Sequence, residues 1–482
     1  MGVVVPRIGF LRGCSALTVL AAALILATGC YKGLNDVVTL YEQGQWEAAA
    51  ALAANPKEVR KLERDLVLWH LEEGKILQDL NRFEASNAAF ERAEALIRAY
   101  DLKPEVSITE ETGAVVTDQT QRNYRGTMAD KTLLHCYMAI NWLALGNVEE
   151  ANVQGQKVTL RLAEAEQYFS AQIAGAERAA QKYQLDLSGL VNRPEFAAGD
   201  GPMTSPALAD FQNPFALYMS ALCLAAAGRF DDARVDMAKV AAMAPDNPWL
   251  AEEVELLERA ASGWPYPPRV FVVLEGGLGP RLQPVVIPFV TPWTGYSQYQ
   301  FPRLVFEPRR VGGLFVSDGS GAPLGQTRFV ASLDGVVAAD FQKRLPGIVT
   351  RTIVSAIVKE TVTYAATQQA WQQYGTEGAM FALLAASAYK TYFSRADLRT
   401  WRTIGKEVQA IHLPRPPDGR LQLTLLDGSG RSTAGALATL DLPNDPLVFV
   451  FVRATNAWKA SWMMVGIGSP QHDRTGRQLT AR

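Results

Sequence analysis

The stretch "FALYMSALCLAAAGRFDDARVDMAKVAAMAPDNP", Phe215 to Pro248, decides the fold of the first half of the chain. Taking small Ala221 as origin, Gly228, Phe230, Ala233, Met237, Val240 and Pro245 follow at offsets 7, 9, 12, 16, 19 and 24. Apolar residues at 3.6-residue spacing on both sides of a glycine predict two helices joined by a tight turn, and Pro245 ends the second. The small residues let the two helices cross closely.

The same frame recurs. "EEGKILQDLNRFEASNAAFERA" fits it through Gly74, Asn81, Phe83, Ser86, Phe90 and Ala93. "YMAINWLALGNVEEANVQGQKV" fits through Ala139, Gly146, Val148, Ala151 and Val158, with Gly155 where a large residue is usual. "LYEQGQWEAAAALAAN" keeps the turn and the second helix, through Gly44, Trp46, Ala49 and Ala53. This pattern resembles the tetratricopeptide repeat. The turn residues Gly44, Asn81, Gly146 and Gly228 lie 37, 65 and 82 residues apart, whereas a regular array holds near about 34. The resemblance therefore implies a helical solenoid interrupted by loops, at Leu102 to Asn123 and Leu187 to Pro214. Phe215, Tyr218 and Leu222 on the last repeat either pack between helices or line a groove that grips a partner peptide.

Near "SGWPYPPRVFVVLEGGLGP" prolines and aromatics mark a boundary around Ser262 to Pro268. Short Val- and Phe-rich runs follow as strands: "RVFVVLE", "PVVIPFV", "RLVFE" and "RFVASL". Two helical segments come next, Val337 to Tyr374 and Glu377 to Phe393, and strands resume at "LQLTLLD", "GALATLDL", "LVFVFVRAT" and "SWMMVGI". The run "GAMFALLAASAY" in the second helix is apolar for only 12 residues, too few for the roughly 20 that cross a bilayer. It is expected to be buried in the domain. The fold class is α+β multidomain: helical repeats over 30–262, a C-terminal β-rich domain with two inserted helices over 263–468, and a flexible tail over 469–482.

The first 29 residues read differently. Arg7 and Arg12 precede an apolar run from Ala16 to Ala27, and Cys30 ends it. That order is a secretory signal. Leu26-Ala27-Thr28-Gly29 resembles the lipobox of bacterial lipoproteins, although the family usually has Leu where Ala27 stands. The resemblance implies that Cys30 is acylated and becomes the N-terminus, with several chains anchoring it. Tyr31 is not the Asp that favours inner-membrane retention, which implies an outer-membrane location facing the periplasm.

Removal of the signal leaves 45 basic residues (47 less Arg7 and Arg12) against 49 acidic ones, a balance that argues against a nucleic-acid partner. Of the remaining cysteines, Cys136 and Cys223 sit in apolar helical stretches, as buried small hydrophobes or as a periplasmic disulfide. Chemistry is sparsely signalled. "EGGLGP" lacks a dinucleotide fingerprint, and both "DGSG" stretches, Asp318 to Gly321 and Asp427 to Gly430, read as turns without a Gly-x-Ser-x-Gly elbow. His70, His135, His412 and His472 show no metal-ligand spacing. Paired acids such as Glu252-Glu253 fall on the solvated side of a helix. No catalytic residue, metal or cofactor is expected.

"RADLRTWRTIGKEVQAIHLPRPPDG", Arg395 to Gly419, reads as a polar coil between the helices and the last strands. Asp397, Arg399 and Trp401 either clamp it to the body as an ion pair over a ring, or form a surface recognition patch. With Cys30 after a signal, "QNPFALYMSAL", "LEGGLGPRL" and "ADLRTW", the chain resembles a family of little-characterised proteobacterial lipoproteins with tetratricopeptide-like repeats and a C-terminal β-rich domain. Gly405 stands in "TIGKEVQ" where that family usually has Leu-Pro. Members tend to be encoded near small lipoproteins that resemble activators of outer-membrane-linked peptidoglycan synthesis. The resemblance implies a lipid-anchored periplasmic scaffold that binds envelope proteins, including such small lipoproteins. The alternative is a glycan- or polymer-binding module using Trp264, Tyr266, Trp293, Tyr296 and Tyr299.

Overall fold

Gly44, Asn81, Gly146 and Gly228 all adopt left-handed backbone, with φ of 77°, 58°, 72° and 72°. At each, the turn closes by two backbone hydrogen bonds, for example Gly228 N to Ala225 O at 3.0 Å and Arg229 N to Leu224 O at 2.9 Å. This is the Schellman arrangement that satisfies the last carbonyls of a helix. Asn81 is the one non-glycine among the four, a residue whose short polar side chain tolerates this region. The computed structural model describes residues 32–59, 63–102, 122–196, 212–291, 295–392, 395–433 and 435–468. The expected signal, Cys30, Trp293, His472 and the expected tail over 469–482 lie outside them.

The four turns join four helical hairpins: α1 (Lys32–Glu42) with α2 (Trp46–Ala53), α4 (Leu66–Asp79) with α5 (Phe83–Asp101), α6 (Met128–Ala144) with α7 (Val148–Lys182), and α9 (Pro214–Ala226) with α10 (Phe230–Met243). Short α3 (Pro56–Val59) and α8 (Leu187–Val191) lie between hairpins, and α11 (Pro248–Ala261) follows the last one. Helix α8 and a 3-10 turn, Pro194–Phe196, occupy part of what the sequence reads as loop. Close crossing depends on small residues: a Cβ added at Gly74 would stand 2.5 Å from the Phe90 ring.

Eleven strands follow among the described residues: β1 (Arg269–Gly276), β2 (Arg281–Thr291), β3 (Gly295–Val305), β4 (Val311–Asp318), β5 (Pro323–Gln326), β6 (Arg328–Ser332), β7 (Glu407–Pro414), β8 (Arg420–Asp427), β9 (Ala438–Asp441), β10 (Leu447–Asn456) and β11 (Lys459–Ile467). A five-stranded sheet has the order β11-β10-β1-β7-β6, a four-stranded sheet the order β5-β4-β8-β9, and β2 with β3 forms a separate hairpin. Only β1 and β10 run parallel in the larger sheet. Alternate residues of β1 go to two cores. Val270, Val272 and Leu274 meet the four-stranded sheet through Leu314, Val316 and Leu423. Phe271 and Val273 join Phe449, Ala410 and the helical hairpins. With both faces covered, these strands are continuously apolar rather than alternating.

Three strands are absent from the sequence reading, short β5 among them. β7 lies inside the larger sheet between β1 and β6, yet its residues fall in what reads as polar coil, because Glu407, Gln409 and His412 break the apolar run. β4, "VGGLFVSD", is hidden by its two glycines. The sheet edges are blunted from the helical side. Asn81 Nδ2 donates to Trp462 O on β11 at 3.1 Å, and Asn247 Nδ2 donates to Arg328 O and Phe329 O on β6 at 3.3 and 3.1 Å.

The apolar core does not stop at residue 262. One cluster holds Trp69, Phe90, Tyr137 and Phe215 from the helices together with Phe271, Trp401, Val408 and Phe449 from beyond the Pro-rich boundary.

The last helix, α12 (Leu333–Tyr392), breaks at Gly375, whose φ of 66° and ψ of −156° are non-helical. The sequence divides its two helical segments at the same place. Contrary to the expected burial of "GAMFALLAASAY", Met380, Phe381 and Leu383 are exposed. Side chains from 384 to 392 lie outside the described residues.

Candidate functional site

The densest group of ionisable side chains sits where the helical hairpins meet the larger sheet. Helix α4 supplies Lys75 and Asp79, four residues apart and so on one face. β1 carries Glu275 next to its last residue, and β10 carries Arg453 inside its apolar run. Lys75 pairs with Asp79 and, at 3.1 Å, with Glu275. Arg453 Nε stands 3.5 Å from Asp79 Oδ2 and donates to the Tyr41 hydroxyl at 3.1 Å, and that hydroxyl donates to Asp79 at 2.6 Å. Tyr137 and the Gly405 N–H both donate to Glu275 Oε1, at 2.8 and 2.5 Å.

Two cations and two carboxylates thus cancel in a buried seam. Burial pushes Asp79 up, against the pull of Lys75 and Arg453. Glu275 is held below its usual range; burial opposes this, and Lys75 and then Arg453 overcome it. The remaining guanidinium hydrogens of Arg453 go to carbonyls, among them Gly277 O at 2.7 Å and Thr403 O at 3.2 Å. Such a group braces; it has no donor left for a substrate. The glycine at 405 has a reason here: a Cβ would run into the Glu275 side chain, and a proline would lack the N–H that Glu275 accepts.

The residues singled out in the sequence meet at the same seam. Phe215 and Trp401, each 1 % exposed, lie on either side of Tyr137, with ring centroids 6.0 and 5.4 Å away. Tyr218 and Leu222 are wholly buried. A peptide could reach this inner helical face only by displacing the protein's own sheet. Arg399 grips Asp397 with two hydrogen bonds, at 2.8 and 2.6 Å, and reaches Asp65 of the helical layer at 2.9 Å. Its guanidinium lies over Tyr124 rather than over Trp401. Arg399 and Trp401 are buried and Asp397 is half-buried, so they form an internal clamp and offer no recognition patch.

A second buried group joins α11 to β7. The Tyr218 hydroxyl meets His412 Nε2 at 2.8 Å, His412 Nδ1 meets Glu253 at 3.2 Å, and Arg269 and Tyr266 also bond Glu253. Glu253 is therefore inside, not on the solvated side where the sequence places it. Its carboxyl is held low because His412 and Arg269 outweigh burial. The triad resembles an acid-base relay in residue types only, for His412 is fully enclosed.

Beside the charged seam an open cleft is lined by Phe83, Ile140, Phe451, Trp462 and Met463, with Arg453 at its side. Its charged members are those already paired in the seam. Among the described residues, no three His, Cys, Asp or Glu converge as a metal site. Cys136 and Cys223 are not bonded to each other; burial raises both thiols, that of Cys223 to about 12. Of the described aromatics proposed for glycan binding, Tyr299 is buried and bonds Glu360 at 3.0 Å, Tyr266 bonds Glu253, and Trp264 is exposed over Arg259. No exposed strip of rings results from these three. Searches against family models, curated proteins and solved structures return no match to this chain.

The sequence reading missed the seam's charges. Their signal is a lone charged residue inside an apolar element: Arg453 in "LVFVFVRAT", Glu275 closing "RVFVVLE", and Lys75 with Asp79 in "KILQD". Buried charges occur almost only when paired.

Proposed function

We propose that the protein is a non-catalytic scaffold of the cell envelope, anchored at the outer membrane by acylated Cys30, with tetratricopeptide-like hairpins and a β-rich part fused into one rigid frame for envelope protein partners. One observation carries the reading: the two buried ionic clusters, around Arg453 and around Glu253, are consumed in joining helices to sheet, which suits a frame. The four left-handed turns at the repeat positions support the tetratricopeptide likeness. Only Tyr31 separates Cys30 from the start of α1, so acylation would hold the frame directly against a bilayer. Because the sheet fills the inner helical face, partners such as small lipoproteins of peptidoglycan synthesis meet the outer faces.

The test is mild crosslinking in envelopes, purification through a C-terminal tag, and identification of co-purifying proteins beside a Cys30→Ser control. One or two envelope proteins recovered only with the acylated form support the scaffold. Recovery of none, with retention on purified cell wall, replaces it with a glycan-binding module.

A further inference from the structure

Between Glu360 and Lys390 the only charged residue is Glu377. Water-facing helices in this protein are studded with Lys, Arg, Asp and Glu; this arm of α12 is not, and it leaves the body. From Tyr364 to Leu383 its side chains are exposed, save half-buried Thr367, Ala370, Gly378, Ala379 and Ala382. Trp371 is 57 % and Phe381 72 % exposed.

At Gly375 the chain turns sharply enough to bring Gly378 against the Ala370 carbonyl, where an added Cβ would stand 2.7 Å away. Residues eight apart are about 12 Å apart along a straight helix. The arm therefore doubles back, and the two glycines make the reversal sterically possible. The half-buried positions are all small residues, and every large apolar side chain described on the arm is exposed. That is the reverse of a helix pair built for water, and it is the arrangement of helices packed in lipid.

On the first limb exposed Tyr364, Trp371 and Tyr374 recur along one side, with Gln369, Gln372 and Gln373 turned away from it. On the second limb Met380, Phe381 and Leu383 face out. Neither limb is long and apolar enough to cross a membrane. Aromatic rings beside an apolar, uncharged limb suit the boundary between headgroups and acyl chains.

We propose that this doubled arm, through Trp371, Met380, Phe381 and Leu383, lies in the surface of a lipid bilayer. The arm carries a single charge and so has no charge pattern with which to orient a folded protein partner. A zipper with a second copy would need its apolar repeat to continue through Gly375 and Gly378, where it is broken. The bilayer is also the surface that Cys30, next but one to α1, would keep within reach; the arm's own affinity does not depend on that tether. Together, tether and arm fix two points and so set the frame's orientation on the membrane.

The test uses the chain from residue 30 onward with Cys30→Ser, which retains every described residue and carries no acyl group. It is floated with vesicles of phosphatidylethanolamine containing a minor share of phosphatidylglycerol. The expected result is co-flotation that high salt leaves unchanged. In the variant Trp371→Gln, Met380→Gln, Phe381→Gln, Leu383→Gln, partitioning falls by about tenfold or more, while circular dichroism and the unfolding midpoint stay as they were. Equal flotation of both chains, flotation of neither, or a dimer that the substitutions dissolve would overturn the proposal. Failure of acylation at Cys30 would remove the scaffold's tether and leave this result standing.

Discussion

Glu72 on α4 is fully buried and accepts the backbone N–H groups of Arg402 and Thr403 at 2.9 and 3.1 Å. Burial outweighs those bonds and raises its carboxyl from 4.5 to about 7. The folded state thus binds the proton more tightly than the unfolded one. The contribution of this group is fully present below about 4.5 and is lost as pH rises through about 7. At about 1.4 kcal/mol per pH unit the loss is roughly 3 kcal/mol. Buried His135, lowered to about 4, acts oppositely: its contribution is full above 6.5 and is lost as pH falls toward 4. Comparison with Glu72→Gln, a neutral isostere, isolates the first effect. Urea unfolding should show the variant gaining roughly 3 kcal/mol on wild type between pH 4.5 and pH 7, and a gap that does not change with pH would refute it. In the seam, Arg453→Met strands Asp79 and Glu275 with one cation between them. A loss of about 3–5 kcal/mol is expected in the same assay, as for other broken buried pairs. A cost under about 1 kcal/mol would mean the seam is wet and its charges screened.

At the scale of elements, the hairpins stand on close crossings. Gly74→Ala forces a methyl into the Phe90 ring and should cost about 1–3 kcal/mol. Phe90→Leu should restore part of that cost, and additive effects in the double-mutant cycle would show that the two do not compete for space. Phe215→Ala should cost about 3–5 kcal/mol of stability, because the ring fills the junction of α9 with Tyr137 and the sheet. A well-folded, equally stable variant would instead place Phe215 at an open groove.

The turns were legible because a glycine or asparagine after an apolar helix leaves few other conformations. The strands β1 and β10 were legible from apolar content alone. β7 was not, because a central strand with Glu407, Gln409 and His412 looks like coil until its partners are known: Gln409 is satisfied by Thr327 and Gly312 O, and His412 by Tyr218 and Glu253. Single-sequence patterns register apolar periodicity; they do not register polar groups paired across hundreds of residues. The same limit hid the seam, whose members come from residues 75, 79, 275 and 453. It also misplaced "GAMFALLAASAY", since an apolar run reads alike whether protein or lipid is to cover it.

For the whole molecule, the consequence is that the helical hairpins and the five-stranded sheet share one core, with the four-stranded sheet on that sheet's other face, and are braced by buried ion pairs. The Pro-rich stretch near residue 262 is a change of secondary structure within that core. A frame of this kind transmits orientation from its attachment points to its outer faces, which is what a tethered scaffold requires. The most direct measurement is calorimetric unfolding of the chain from residue 30 onward with Cys30→Ser. A single transition whose calorimetric and van't Hoff enthalpies agree is expected, since neither layer can lose the other without exposing the seam. Two separated transitions, with the helices melting apart from the sheets, would contradict the rigid frame and reopen the inner helical face as a partner groove.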